Sequence, residues 1–292
     1  MKKTKQRRKL IILNTSIWRI FAYFIIYSFL GYVIETIYSV ISTGVLECRQ
    51  SFLYGPFCSI YGVGSVALVL ILKSKFSKNN HSLFWGGVLI GSVTEYLVSL
   101  IGEVVLNAKW WDYSDKFLNI NGRICLIYSL FWGLLALYLI KVVNPAVDKF
   151  IDLMAKTLHP NLVKAMVGLC FIFLVVDAMA SSLAINYFTL RVAVEHDLDV
   201  PNKEEVLENY NLIYNERPEI AEFIYKYWGD EVMIITYPNL TITLSNGDSL
   251  PIRLLYPELP YCYFNFNDYV KNKYGDINFS SFDIVVDKKM LL

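Results

Sequence analysis

Residues 91–123 read GSVTEYLVSLIGEVVLNAKWWDYSDKFLNINGR. An apolar helix carrying Glu95 and Glu103 leads into a loop rich in Trp, Asp, Tyr and Asn that ends at Arg123. An ionisable side chain inside an apolar span costs about 2.5–3.5 kcal/mol on insertion scales, so it should face protein or water rather than lipid. The stretch therefore predicts a membrane protein whose helices enclose polar groups.

The composition of the whole chain supports this class. Of the 292 residues, 55% are hydrophobic and 18% are charged, whereas soluble domains have about 25% charged residues. Residues 1–190 carry 18 Lys and Arg against 9 Asp and Glu, a net +9, and residues 191–292 carry 9 against 17, a net −8. We infer two regions in two environments. We expect no nucleic-acid partner, because the dense basic run at residues 2–9 adjoins an apolar helix.

The apolar segments predict an all-α polytopic membrane protein. We expect five transmembrane helices, over residues 18–42, 57–72, 83–106, 124–143 and 164–188. The second is short against the roughly 20 residues that span a bilayer. Lysines between helices two and three, and between four and five, place the N-terminus in the cytoplasm by the positive-inside rule. Five spans then place the C-terminal region outside the cell.

Two further segments complete the predicted organisation. Residues 145–159 alternate apolar and charged side chains at helical spacing, which predicts an amphipathic helix on the cytoplasmic interface. A docking helix for a cytoplasmic partner is the alternative. Residues 191–292 predict a small extracytoplasmic α+β module. Its expected helices are 203–210 and 219–228, and its expected strands are 232–237, 240–244 and 250–256.

The apolar part repeats itself. Residues 30–46 match residues 90–106 at an offset of 60, with seven identities in 17 positions. After the next loop the offset becomes 67, and Gly55/Gly122, Cys58/Cys125, Ile60/Ile127 and Tyr61/Tyr128 coincide. Helices one–two and three–four are therefore predicted to be two copies of one hairpin, related by an axis along the membrane normal. A site is expected between such copies.

The repeat defines the candidate site. Glu35 and Glu95 each follow a glycine by four residues, in G-x-x-x-E. They form either a structural hydrogen bond or ion pair between helices, or a substrate, ion or proton site, and the sequence leaves both open. Further candidates are an Arg in each outer loop, placed to neutralise a carboxylate or to bind an anion, and acidic residues in helices three and five. These are Arg49, Arg123, Glu103 and Asp177.

An outer cap is expected over this site. The residues of this cap are Trp110, Trp111, Asp112, Tyr113, Asn119 and Asn121. An interfacial aromatic belt is the alternative for the Trp and Tyr residues. The sequence has neither G-x-x-x-x-G-K-[ST] nor H-E-x-x-H, and its Cys and His lack metal-site spacing. We therefore predict no catalytic residue, no metal and no cofactor.

Three motifs carry a resemblance to a known family. They are FLYGPFCSIYG at 52–62, WWDYS at 110–114 and NINGRIC at 119–125. They resemble the CmpB-like family of bacterial membrane proteins labelled ABC-transporter type IV, over residues 18–188, with Ser59 in place of the usual proline. The label implies a permease subunit in the bacterial cell membrane, served by a separate cytoplasmic ATPase. Five spans are few for a permease, so a homodimer is implied.

The leading hypothesis is therefore a permease-like transport subunit without catalytic activity of its own, with the ATPase pressing on residues 145–159. A second hypothesis is a membrane-anchored sensor or envelope assembly factor whose outer module binds a partner. A third is a lipid- or envelope-modifying enzyme that uses Glu35 and Glu95. The sequence names no substrate.

Overall fold

A computed structural model describes residues 11–12, 15–75, 79–106 and 108–274. The basic run at 2–9 and the end of the predicted module at 275–292 lie outside the described residues. The described chain is mostly helical with a few small strands. Within it, four helices are long and apolar enough to cross a membrane: Ile17–Thr43, Asn80–Val104, Leu126–Thr157 and Pro160–Glu195.

Two helical hairpins form the core of the apolar part. Helix α1 (Ile17–Thr43) packs on α2 (Ser59–Lys75), and α3 (Asn80–Leu106) packs on α4 (Leu126–Tyr138). The hairpins meet through α2 and α3. Helix α2 has 17 residues, about 26 Å at 1.5 Å per residue. It is shorter than the four candidate spans, so the count of five spans stays a prediction.

Helix α4 continues into the predicted amphipathic segment without a loop. A π-helical turn, Leu139–Val143, joins it to α5 (Asn144–Thr157). Pro145 explains the wider turn, because proline has no amide hydrogen and its ring clashes with the carbonyl four residues earlier. The amide of Asn144 bonds the carbonyl of Leu139 instead.

Helix α5 is fastened to the ends of the first hairpin. Its Asp148 accepts hydrogen bonds from Tyr23 of α1 and from Lys73 of α2, the latter at 2.6 Å. Val147 and Ile151 are buried on the inner face of α5. The position of this helix on a membrane surface stays a prediction.

Helix α6 (Pro160–Glu195) extends past the predicted end of the fifth span. Its 36 residues measure about 54 Å. The last turns, with Phe188 and Val192, are buried in one hydrophobic core with the C-terminal region, defined here as residues 196–274. Leu53, from the loop between α1 and α2, joins the same core. The division predicted at residue 190 therefore falls inside a helix.

The C-terminal region is largely helical. It contains α7 (Lys203–Tyr210), a π-helical turn (Asn211–Asn215), α8 (Pro218–Tyr227), α9 (Asp230–Thr236) and α10 (Phe266–Tyr274). The strand predicted over 232–237 is wrong, since residues 232–236 lie in α9. A short apolar run fits either a strand or a buried helix. Here Asp230 and Glu231 fill the first turn, where negative charge stabilises a helix.

Two small antiparallel sheets join the C-terminal region to the loops of the hairpins. Strand β3 (Val45–Leu46) pairs with β7 (Phe264–Asn265), and β4 (Ala108–Lys109) pairs with β5 (Thr241–Thr243), which pairs with β6 (Ser249–Pro251). A further pair, β1 (Ile11–Ile12) and β2 (Thr15–Ser16), precedes α1. The strand predicted over 250–256 ends at Pro251 and becomes a 3-10 helix, Ile252–Leu255. Each hairpin loop therefore supplies a strand that the C-terminal region completes.

Candidate functional site

A cavity of about 810 Å³ lies where the two hairpins, α6 and the C-terminal region meet. Glu35 and Glu95 both line it. The other predicted site residues in its wall are Arg49, Trp110, Trp111 and Tyr113. The structure thus places the two repeat carboxylates in the wall of one cavity. The aromatic residues of the loop between α3 and α4, here called the second loop, lie in the same wall.

Glu35 is held by a tyrosine from the partner helix of its own hairpin. The hydroxyl of Tyr61 on α2 donates to Oε1 of Glu35 at 2.6 Å. Gly31, one turn before Glu35, makes this approach possible, because a Cβ there would overlap Cβ and Cγ of Tyr61. Residues four apart share a helix face. The G-x-x-x-E spacing therefore lets an aromatic residue pack on the glycine and donate to the carboxylate.

Glu95 is held by the same arrangement in the second hairpin. The indole N–H of Trp132 on α4 donates to Oε2 at 3.2 Å, and a Cβ at Gly91 would overlap Cβ and Cγ of Trp132. The far edge of the indole faces Gly64 of α2, so the ring is wedged between two glycines. A second donor, the hydroxyl of Tyr113, reaches Oε1 at 3.2 Å.

The charges of these two carboxylates have no basic counterpart. Within the described residues, no Lys or Arg forms an ion pair with Glu35 or Glu95. Their donors are neutral hydroxyl and indole groups. Glu95 is 5% exposed, whereas Glu35 is only half-buried. The cavity wall therefore contains two carboxyl groups that no Lys or Arg of the described residues neutralises.

The two predicted arginines pair with other carboxylates, in matching ways. Arg49 binds Glu47 and donates to Ser39 at 3.2 Å. Arg123 binds Glu103 and donates to Ser99 at 3.3 Å, and Ser39 and Ser99 are equivalent positions of the repeat. Glu103 also pairs with Lys109 at 3.3 Å. Glu103 and Arg123 are absent from the lining of the cavity.

Asp177 does not line the cavity but forms hydrogen bonds with the loop between α1 and α2, here called the first loop. Its carboxylate accepts the backbone N–H of Tyr54 at 3.0 and 3.2 Å and the hydroxyl of Ser181 at 3.2 Å. Ser181 in turn accepts the backbone N–H of Leu53 at 2.7 Å. Tyr54 also accepts the indole N–H of Trp228 at 3.2 Å, so α6 and the C-terminal region together fix this loop.

The amide side chains of the second loop bind within the loop and to α3. Asn119 donates to the carbonyls of Ser114 and Lys116, both at 3.0 Å. Asn121 has a φ of 53° and donates to the hydroxyl of Tyr96 at 2.9 Å. An Asn tolerates this left-handed conformation better than most residues. These contacts order the loop beside the cavity.

Asp112 links the same loop to the C-terminal region. It accepts the backbone N–H of Ser114 and the hydroxyl of Ser249, each at 2.9 Å. Its partial burial would raise the pKa of the carboxyl. The hydrogen bonds from Ser114 and Ser249, together with Lys109, outweigh that effect and hold the pKa below its usual value.

Several residues of this site are not predicted by the sequence. Tyr61 lies within the first family motif, and the pattern around Trp132 predicts only an apolar helix. Neither was paired with a carboxylate, because the repeat aligns Tyr61 with Tyr128 and not with Trp132, which lies one turn further on. The residues of the C-terminal region that line the cavity, 236–239, carried no signal in the sequence.

The fold and the cavity define a multi-pass membrane protein built on two repeated hairpins. The chain belongs to the family described as "Putative ABC-transporter type IV", whose model matches residues 22–182. This confirms the resemblance stated from the motifs. The match begins within α1 and ends within α6, so the C-terminal region lies beyond it. No curated protein and no solved structure matches the chain.

Proposed function

We propose that this protein is a permease-like subunit of a transporter in the bacterial cell membrane, which takes a small substrate into the cavity. One observation carries the proposal: both copies of the repeat place their carboxylate, Glu35 or Glu95, in the wall of the same cavity. Small-molecule sites typically have volumes of about 300–1,000 Å³, and this cavity falls in that range. In many transporters the substrate site lies between structural repeats.

The alternative of a purely structural role fits less well. Glu35 and Glu95 each bond within their own hairpin, and so they do not tie the two hairpins together. An apolar side chain at either position would fill the space without the cost of burying a carboxylate. Keeping two such groups beside an open volume indicates a ligand.

A separate ATPase is expected to supply the energy, and helix α5 is the proposed contact. Phe150 and Leu153 on this helix are 53% and 61% exposed. The helix is continuous with α4, which lines the cavity, and it is bonded to α1 and α2 through Asp148. A force on α5 would therefore reach both hairpins. A homodimer is proposed because a single chain offers few spans.

The test is access to the cavity during ATP turnover. In a cysteine-free background, Val98→Cys places a thiol in the cavity wall and Asp115→Cys places one on the exposed surface of the loop between α3 and α4. The full chain is purified in mild detergent from its host and assayed for co-purifying ATP hydrolysis. Native membrane vesicles are then labelled with an impermeant maleimide, with and without ATP.

We expect ATPase activity to co-purify, and ATP to change the labelling rate at Val98→Cys at least fivefold while the rate at Asp115→Cys stays constant. Absence of both effects would overturn the proposal.

A second candidate, a sensor, is favoured by the pairing of β3 with β7 and of β4 with β5. Through these strands, a partner bound to the C-terminal region could move both loops. It predicts a labelling change on adding the partner and none on adding ATP.

A further inference from the structure

The cavity has features that select among substrates. Its wall contains two carboxylates, and Arg49, the one basic residue that the described part of the chain contributes to the wall, is paired with Glu47. A positive group on a ligand would offset the cost of holding these carboxylates away from water.

Aromatic rings form much of the remaining wall. They include the rings of Tyr61, Trp110, Trp111, Tyr128, Phe131 and Trp132. The face of an aromatic ring attracts a cation, and indole does so most strongly. Trp132 serves both purposes, because it lines the cavity and also donates to Glu95.

The dimensions argue against an inorganic ion. Ca²⁺ needs six to eight oxygen ligands close around it, and a volume of about 810 Å³ is far larger than one ion. In the described part of the chain, no group of three or more His, Cys, Asp or Glu side chains is placed to hold a metal.

We propose that the cavity binds an organic cation with an apolar body, its positive group beside Glu35 and Glu95 and its body against the aromatic wall. The inference rests on the proposed function, because it names the substrate class of the same cavity. Binding is measured without turnover, so the two proposals can fail separately.

The probes are tetraphenylphosphonium and tetraphenylborate, which have the same shape and opposite charge. The full chain is placed in nanodiscs of neutral lipid, and each probe is titrated while tryptophan fluorescence is recorded, since Trp110, Trp111 and Trp132 line the cavity. Empty nanodiscs give the partitioning background for each probe. Tetraethylammonium and Ca²⁺ serve as competitors.

The expected result is saturable quenching by the phosphonium and none above background by the borate. Glu35→Gln and Glu95→Gln should each weaken phosphonium binding at least tenfold, whereas Asp115→Asn, an exposed carboxylate in the second loop, should leave it unchanged. Tetraethylammonium should compete and Ca²⁺ should not. Thermal melting in the nanodisc shows whether each variant folds, and Glu35→Gln keeps Tyr61 as a hydrogen-bond partner.

Equal binding of both probes, unaffected by the Gln variants, would show an apolar cavity without charge selection and overturn the inference. No saturable binding of either organic cation, or displacement of the phosphonium by Ca²⁺, would also overturn it. If the phosphonium binds as expected but no ATPase activity co-purifies and ATP does not change labelling at Val98→Cys, the cation site stands and the transport function fails. If ATP changes labelling at Val98→Cys but the phosphonium does not bind, the transport function stands and its substrate belongs to another class.

Discussion

The two hairpins solve the same problem with different residues. In the first, Gly31 admits Tyr61, which donates to Glu35; in the second, Gly91 admits Trp132, which donates to Glu95. The second donor lies one helical turn further along its helix than the aligned position. The repeat therefore preserves the glycine and the carboxylate and changes the group that satisfies the carboxylate.

The difference divides the roles of the two carboxylates. Glu95 is 5% exposed and has two donors, Trp132 and Tyr113. Glu35 is half-buried, and among the described residues it accepts a hydrogen bond from Tyr61 alone. Glu95 is a fixed part of the wall. Glu35 is more open to a ligand or water, so losing its donor should cost less.

The largest expected loss of stability follows substitution of the glycines that contact Tyr61 and Trp132. Gly91→Ala should destabilise the protein by about 3 kcal/mol, the upper end for overpacking, because the new methyl overlaps Trp132 and the ring is blocked by Gly64 on its other side. Gly31→Ala should cost less, about 2 kcal/mol, since the nearest atoms that its methyl would meet belong to Tyr61, which packs beside the half-buried Glu35. The measurement is denaturation in detergent or nanodiscs.

Gly168→Ala is the matched control, because a Cβ there meets nothing within 4 Å. Alanine is the better helix former by about 1 kcal/mol, so this variant should match or exceed the wild type. If Gly91→Ala were as stable as Gly168→Ala, the close approach of α3 and α4 would be refuted.

The next effect concerns the donors. Trp132→Phe should destabilise the protein by about 2 kcal/mol, since hydrogen bonds to charged groups contribute about 1.5–3 kcal/mol. Tyr61→Phe should cost about 1 kcal/mol, because water can replace the hydroxyl at the half-buried Glu35. A double-mutant cycle with Glu95→Gln or Glu35→Gln isolates each bond. Equal costs in the two hairpins would contradict the assigned difference.

How far the sequence predicts the site can be judged from these same residues. The repeat was visible in the chain, and it identified Glu35 and Glu95, which the structure places in one cavity. The partners of these carboxylates were not visible, because they depend on how two helices rotate against each other. Tyr128 occupies the aligned position, yet its ring stacks on Tyr113 with centroids 4.8 Å apart.

The sequence also does not predict contacts between distant parts of the chain. Asp177 was recognised as costly within a helix, but its partner Tyr54 lies 123 residues away and offers only a backbone N–H, which every residue except proline has. The pairing of β4 with β5 rests on two residues of an irregular loop. Such short strands have no alternation for a sequence pattern to detect.

A third prediction compares the loops of the two hairpins. The first loop depends on Asp177 of α6, whereas the second is ordered by its own Asn119. Asp177→Asn should cost about 1 kcal/mol and lower hydrogen-exchange protection in residues 51–57 while leaving 110–123 unchanged. Asn119→Ala should give the opposite pattern. If either variant loosened both loops equally, the loops would be one unit and the comparison would fail.

The smallest effect is the pH response of the second loop. The pKa of Asp112 is lowered in the folded chain, because the hydrogen bonds from Ser114 and Ser249 and the nearby Lys109 outweigh its partial burial. A carboxyl with a depressed folded pKa stabilises the protein above its unfolded pKa, about 3.9, and this contribution is lost as the pH falls through the folded pKa.

The wild type should therefore melt at a higher temperature than Asp112→Asn at pH 6, and the gap should close as the pH falls below about 4. In a Ser249→Ala background, the difference in melting temperature between Asp112 and Asp112→Asn at pH 6 should be smaller, because one of the hydrogen bonds that favour the ionised carboxyl is removed. Asp115→Asn, on the same loop, controls for the general loss of negative charge. A gap that widened on acidification would mean that Asp112 is held neutral, and the link from the second loop to the C-terminal region would then need a different donor.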